Sequence, residues 1–186
     1  MTAARRPAAG LALALALGLG GLGCAPSQVV PSGPHDLALP ERRAQGSVAG
    51  ATLAVTGRRW SAPPQQLLVM HTTLWVEITN TSERRFKVSP EDFSLVTPNG
   101  NEIEAVAPDV AERAITESKI EMRVLRSESL KPSVLAPGQE AHGYVVFRKK
   151  FGQGAAGQSL TLRAVLRDED GKEAIGTVEA PLAVVP

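Results

Sequence analysis

The stretch that decides the fold is Thr73-Leu74-Trp75-Val76-Glu77-Ile78-Thr79, in which apolar and polar residues alternate. Successive side chains of a strand point to opposite faces of a sheet, so Leu74, Val76 and Ile78 share one face. We expect that face to look into the core and Trp75 to lie on the opposite face. The pattern predicts a half-buried β-strand.

Similar short runs lie on both sides of this stretch, separated by turn signals such as Asn99-Gly100, which favours the positive φ of a tight turn. The other runs are residues 52–56, 86–88, 93–96, 102–106, 143–147, 160–166 and 174–185. Many short strands with frequent turns predict an all-β fold. We expect an immunoglobulin-like two-sheet antiparallel sandwich of about eight strands.

One segment departs from the strand pattern. Apolar residues recur at helical spacing from Val110 to Ile115, which predicts one short helix or loop insertion near residues 108–119. Ile120, Met122 and Val124 then alternate with charged residues. A strand up to about Leu125 and a continued helix therefore both remain open.

Composition excludes several classes of function. The 186 residues carry 20 Lys and Arg against 19 Asp and Glu, a formal net charge of +1, so overall charge does not recruit nucleic acid. The single Cys excludes an internal disulfide, and three His leave few ligands for a transition-metal cage. We expect no cofactor and no nucleic-acid partner.

The first 23 residues have the features of a secretion signal. Two arginines precede a run of Leu, Ala and Gly at residues 11–22, which is too short to span about 30 Å of hydrocarbon. Gly21-Leu22-Gly23-Cys24 follows. It resembles the lipobox of bacterial lipoproteins, although Gly21 stands where that family usually has Leu. The resemblance implies cleavage before Cys24 and a diacylglycerol on its sulfur. The alternative is an ordinary signal with an incidental cysteine.

These features predict three segments: a signal peptide at residues 1–23, a lipid-anchored Pro-rich tether at 24–47, and a β-sandwich domain at 48–186. The tether has four prolines and no sustained apolar period, so it is not expected to bury a core. It would let the domain stand up to about 75 Å from the membrane. The alternative is that part of it, at residues 37–39, packs along the domain as an edge.

A second resemblance covers residues 53–166. It rests on Leu74-x-Val76-x-Ile78-x-Asn80, on Ser89-Pro90-Glu91-Asp92-Phe93-x-Leu95, on Asn99-Gly100, and on Leu135-Ala136-Pro137-Gly138 before Gly143-Tyr144-Val145-Val146-Phe147. This order resembles the telokin-like immunoglobulin sandwich domains of bacterial secreted lipoproteins. Because these are turn and core signals, the resemblance implies an extracytoplasmic interaction domain and carries over no active site.

Few residues point to chemistry. The sequence has no nucleophile motif that would pair with a histidine, so we expect no enzyme activity. Two basic clusters stand out, and if the strand ends lie together they form one patch for phosphates, envelope polysaccharide or an acidic protein. The alternative is two separate solvated turns. The clusters are Arg84, Arg85 and Lys87, and Arg148, Lys149 and Lys150.

The sequence as a whole predicts a lipoprotein of the bacterial cell envelope, held to the extracytoplasmic side of a membrane by a lipid on Cys24. Its non-catalytic β-sandwich would bind an envelope protein or polysaccharide. The alternative is a metal-binding or enzyme-accessory envelope protein in which His71, His142 and Met122 converge on a metal, since imidazole and thioether suit copper.

Overall fold

Alternating apolar residues build the central strand, as the sequence predicts. The computed structural model describes residues 27–33, 37–48, 50–113 and 119–186. In it, β4 (Thr72–Asn80) buries Leu74, Val76 and Ile78 in the main core, while Trp75 is partly exposed on the opposite face. The predicted signal peptide and Cys24 lie outside the described residues.

Eleven strands form in the described part of the chain, rather than the expected eight. Besides β4, they are β1 (Gln28–Pro31), β2 (Arg43–Val48), β3 (Ala51–Thr56), β5 (Phe86–Val88), β6 (Phe93–Val96), β7 (Glu102–Val106), β8 (Ser133–Leu135), β9 (Glu140–Phe147), β10 (Ser159–Arg167) and β11 (Ala174–Val185). The additional strands are short, and two of them come from the segment predicted to be a tether.

All pairings between these strands are antiparallel, along the path β1-β11-β10-β6-β7-β9-β4-β3-β2, with β5 beside β10 and β8. β7 pairs with β6 through its first residues and with β9 through its last two. β2, at one end of the path, lies against β11, which is next to the strand at the other end: a Cβ added to Gly46 would come 1.5 Å from the Glu179 carbonyl oxygen. The sheet is therefore nearly closed, like a barrel. The all-β prediction is confirmed; a two-sheet immunoglobulin-like sandwich is not confirmed.

The segment at residues 24–47 is not wholly a tether, because its described residues contribute to the sheet. β1 pairs with β11 from Gln28 to Pro31, and β2 pairs with β3. Proline is tolerated at an edge, where no partner needs its missing N–H, and Pro31 ends an edge strand. The first described strand therefore begins at Gln28, within the segment predicted to be a tether. Residues 37–39 are the part of this segment that the alternative placed at an edge. The strand at the edge is β1, and a 3₁₀ turn forms at Leu39–Glu41.

Helices occupy the segment where strand and helix were both open. They are α2 (Pro108–Arg113) and α3 (Lys119–Glu128), so the strand alternative is wrong for the described residues. A short α1 (Leu67–Met70) precedes β4. The outer faces of β7 and β9 carry apolar side chains, and apolar residues of the three helices pack over them and form a second core cluster. This second core cluster comprises Trp60, Leu67, Val106, Ala111, Leu125, Tyr144 and Val146.

Candidate functional site

A cavity of about 270 Å³ lies at the end of the barrel where β4 begins. It is lined by β1, by the segment that follows β3, by α1 and by the first residues of β4. Its walls are largely apolar and include Val29, Val30, Trp60, Leu68 and Leu74. The mouths of barrels are frequent sites for small ligands, so this cavity is the first candidate for a binding site.

His71 is a polar group in this apolar cavity. It follows α1, and its main-chain N–H donates to the Leu67 carbonyl at 2.9 Å. The residue is only 4% exposed, and neither ring nitrogen has a hydrogen-bond partner among the described residues. A buried polar group without a partner raises the free energy of the folded state.

Burial lowers the pKa of His71 below its ordinary value, and the positive charge of Arg148 lowers it further. The main chain of Phe147 opposes this shift, although it makes no hydrogen bond of ordinary geometry to the ring. The imidazole is therefore neutral at pH 7, with one N–H donor and one acceptor nitrogen. Both nitrogens are fully buried in this conformation, so a molecule in the cavity would reach them only if the ring turned.

Two cations line the same cavity. Arg59 is exposed and Lys150 is half-buried. Burial lowers the pKa of Lys150, and the neighbouring charge of Arg59 adds to the lowering, so the two charges repel each other. Among the described residues, no carboxylate lies within ion-pair distance of either one. The cavity therefore has an unbalanced positive side.

An aromatic cluster contacts the segment that carries Arg58 and Arg59. The Tyr144 hydroxyl donates to the Arg59 carbonyl at 2.9 Å, and the Tyr144 ring makes edge contacts with Trp60 and Trp75 at centroid distances of 5.1 and 4.9 Å. Arg58 lies 3.9 Å above the Trp75 ring and forms a 3.4 Å ion pair with Glu128. The exposed face of Trp75 is thus covered by Arg58.

The two predicted basic clusters do not lie together. The first follows the end of β4 at Asn80, and the second follows Phe147, which pairs with Thr72 at the start of β4. Nine strand residues span about 27 Å. The clusters therefore lie at opposite ends of one strand, and the structure does not bring Arg84, Arg85, Lys87, Arg148, Lys149 and Lys150 into a single patch.

Each cluster has its own surroundings. In the first, Arg85 forms a 2.6 Å ion pair with Glu169. In the second, Lys149 faces the Phe151 ring at 5.4 Å, Arg148 lines a separate acidic groove, and Lys150 lines the cavity. Only Lys150 among the predicted cations reaches the cavity. Sequence reasoning missed Arg59, although the order Gly57-Arg58-Arg59-Trp60 directly after a strand is a signal that could have found it.

The predicted metal site is not formed by its two histidines. His142 pairs with Glu77, six residues along the strand direction from His71, which corresponds to about 20 Å. His142 is exposed and packs 5.6 Å from the Trp75 ring, whereas His71 is enclosed. A shared metal ion would need a ring nitrogen of each histidine within about 2 Å of it. The side chain of Met122 lies outside the described residues, which contain no cluster of three or more His, Cys, Asp and Glu suited to a metal.

Comparison with known proteins gives few matches. No protein-family model matches the chain, and no curated protein matches it. Several solved structures are similar, and three of them are as follows. YcdA of Bacillus subtilis subsp. subtilis str. 168, an inferred lipoprotein, is 16% identical over 73% of this chain and 37% of its own, with a TM-score of 0.44. The YjhA protein of Bacillus subtilis is 16% identical over 67% of this chain and 81% of its own, with a TM-score of 0.40.

The third is a functionally unknown protein from Listeria monocytogenes EGD-e, 14% identical over 83% of this chain and 86% of its own, with a TM-score of 0.42. This chain spans only 37% of the YcdA structure. At these identities and TM-scores, the likeness carries no argument about the site. None of the helices in the described ranges has the length and apolar character needed to cross a membrane.

Proposed function

We propose that this chain is a membrane-anchored extracytoplasmic lipoprotein whose non-catalytic β-domain binds an envelope component at the end that carries the cavity. The supporting observation is the position of β1. It begins at Gln28, four residues after Cys24, and Gln28 lines the cavity. Four residues span at most about 14 Å. A lipid on Cys24 would hold the cavity beside the membrane rather than up to 75 Å away.

The surface around the cavity suits such a position. On α1, Val69 is 73% exposed and Met70 is 45% exposed, which is unusual for large apolar side chains. The cations Arg59 and Lys150 lie on the walls of the same cavity as Val69. Apolar side chains beside cations favour contact with the headgroup region of an anionic bilayer.

The proposal is a binding protein and not an enzyme because the polar groups of the cavity do not form a catalytic set. Among the described residues, no hydroxyl or thiol hydrogen-bonds to His71 and no carboxylate lines the cavity to orient its ring, so the arrangement of nucleophile, base and orienting acid is not formed there. The finer assignment to the telokin-like immunoglobulin sandwiches stays part of this proposal.

Lipidation is tested on the native chain. Mass spectrometry of the N-terminal peptide should find a processed chain that begins at Cys24 and carries acyl groups. The Cys24→Ala variant should be released from the membrane fraction, since each buried methylene contributes about 0.8 kcal/mol to anchoring and the variant has no acyl chains. An unmodified Cys24 in the native protein would refute the anchor.

Orientation is tested by spin labels on the lipidated chain in vesicles of phosphatidylethanolamine and phosphatidylglycerol. Two variants, Val69→Cys and Ile175→Cys, place a label at exposed apolar sites. Ile175 is the matched control because it lies at the start of β11, while Val185 at the other end pairs with Gln28. The Val69 label should collide more with membrane-dissolved oxygen than the Ile175 label does. Equal collision rates would refute the orientation.

A further inference from the structure

The cavity combines features that a stable core does not need. It has apolar walls, a buried imidazole without a partner, and two cations without ion pairs in the described structure. Each of the three features calls for a different part of one ligand: an apolar chain, an acceptor oxygen and a negative charge.

We propose that the cavity binds an amphiphilic anion, a chain of about eight to ten carbons that ends in a carboxylate or phosphate group. This inference rests on the binding role proposed above, but not on lipidation of Cys24. It follows from three properties of the site, which are its volume, the state of His71 and the charge at Arg59 and Lys150.

The volume sets the length of the chain. At the ~30 Å³ that a water-sized group occupies, a cavity of about 270 Å³ holds about nine such groups, and a methylene is of similar size. Val29, Val30, Leu68 and Leu74 supply an apolar lining for them. Burial of methylenes against such walls is favourable, whereas water gains little there.

The state of His71 calls for an oxygen. Its lowered pKa keeps the ring neutral, so it retains one N–H that can donate to a ligand oxygen. Both ring nitrogens are fully buried in the unliganded structure, so the ring would turn toward the cavity to meet that oxygen. A carboxylate or phosphate oxygen would provide the missing acceptor without requiring any change in the protonation of the ring.

The charges fix the sign of the headgroup. Arg59 repels Lys150, which contributes to the lowered pKa of Lys150, and no described carboxylate compensates either charge. A bound anion would form charge-assisted hydrogen bonds with both and remove this repulsion. A neutral amphiphile would gain the apolar contacts only.

The test uses the full-length Cys24→Ala chain, purified in soluble form after export, because an acyl chain on Cys24 could itself compete. Decanoate, decyl phosphate, decanol and acetate are titrated by calorimetry. Decanoate or decyl phosphate should bind at least about tenfold more tightly than decanol, the factor expected for one charge-assisted contact. Acetate, which has the head without the chain, should not bind measurably. The stronger of the two anionic probes identifies the headgroup.

Two variants and a control locate the binding. Arg59→Gln with Lys150→Gln should weaken decanoate binding about tenfold or more and leave decanol binding unchanged. His71→Leu should weaken the anionic probes, and in the unsubstituted ring the His71 nitrogen NMR signals should shift on binding. Arg84→Gln with Lys87→Gln removes equal charge at the opposite end of β4 and should change neither affinity.

Three results would overturn the inference: no binding of either anionic probe, equal affinity for decanoate and decanol, or equal losses in the cavity and control variants. These outcomes are separable from the anchor. A lipidated native chain whose cavity binds no probe loses only this inference, while an unmodified Cys24 in a chain that binds decanoate loses only the anchor.

Discussion

Replacing His71 with leucine is expected to stabilise the unliganded protein, although the substitution removes a buried side chain of the candidate site. The ring is 4% exposed and has no hydrogen-bond partner in the described structure. Burying such a group without a partner costs about 1–3 kcal/mol. Leucine has no polar atoms and would face the same apolar neighbours, Trp60, Leu68 and Leu74. We therefore expect His71→Leu to gain about 1–3 kcal/mol, or roughly 2–12 °C in Tm for a domain of this size.

The gain should grow as the pH falls. The unfolded chain protonates His71 near its ordinary pKa of about 6.5, whereas burial and Arg148 lower the pKa in the folded state. Below that pH the unfolded state takes up a proton that the folded state does not, so folding of the unsubstituted protein weakens. One proton gives a slope of at most about 1.4 kcal/mol per pH unit. The slope ends at the folded pKa, below which both states are protonated. The leucine variant lacks this loss.

Urea unfolding of the Cys24→Ala chain at pH 7.5, 6.5 and 5.5, followed by circular dichroism, measures both effects. His142→Leu is the matched control: His142 is exposed, so its replacement should change the free energy of unfolding by no more than about 0.5 kcal/mol at pH 7.5. A loss of more than about 1 kcal/mol in His71→Leu at pH 7.5 would mean that the ring has a stabilising partner. The cavity would then hold no unsatisfied imidazole for a ligand to pair.

Two further predictions concern the fold and are measured by the same urea unfolding. Asn80 is fully buried, its amide donates two hydrogen bonds to main-chain carbonyls and its oxygen accepts two more. Asn80→Ala should therefore lower the free energy of unfolding by about 2–4 kcal/mol. Asn99→Ala, in an exposed turn, is the control and should change it little. Gly46→Ala should lose about 3 kcal/mol or more because its Cβ would overlap the Glu179 carbonyl, while Gly152→Ala meets open space. A stable Gly46→Ala variant would show that β2 does not close against β11.

Local pattern was sufficient for the central strands and insufficient at the edges of the fold. The alternation in β4 is fixed by its own residues, because one face must be buried whatever its neighbours are. β1 has only Val29 and Val30 as apolar residues between prolines, and it becomes a strand because β11 offers it an edge. For α3, the sequence around Ile120, Met122 and Val124 leaves strand and helix both open, and the apolar outer face of the sheet provides a surface for a helix. Both outcomes depend on tertiary partners that local periodicity does not contain.

The candidate site was less predictable than the fold because it is assembled by register. His71 and Lys150 were both singled out, but one as a metal ligand and the other as part of a basic patch. The pairing of β4 with β9 places Phe147 opposite Thr72, and this pairing brings the two residues to one cavity. The same pairing separates His71 from His142. No spacing along the chain indicates which of these groups share a site, since the register joins segments about 75 residues apart.

The two ends of β4 differ in a way that bears on function. At the far end, Asn80 has every polar atom of its side chain paired, which is how a buried polar group stabilises a fold. At the near end, His71 has none paired among the described residues, the cations beside it repel each other, and the cavity next to it is unfilled by side chains. Each of these features destabilises the unliganded fold, and packing elsewhere must offset them. Such departures from well-satisfied packing concentrate at functional sites, because the groups that a ligand will pair cannot also be paired by the protein. A ligand that pairs His71, Arg59 and Lys150 at once would remove all three penalties together, so binding and stabilisation of this end of the barrel should be one event.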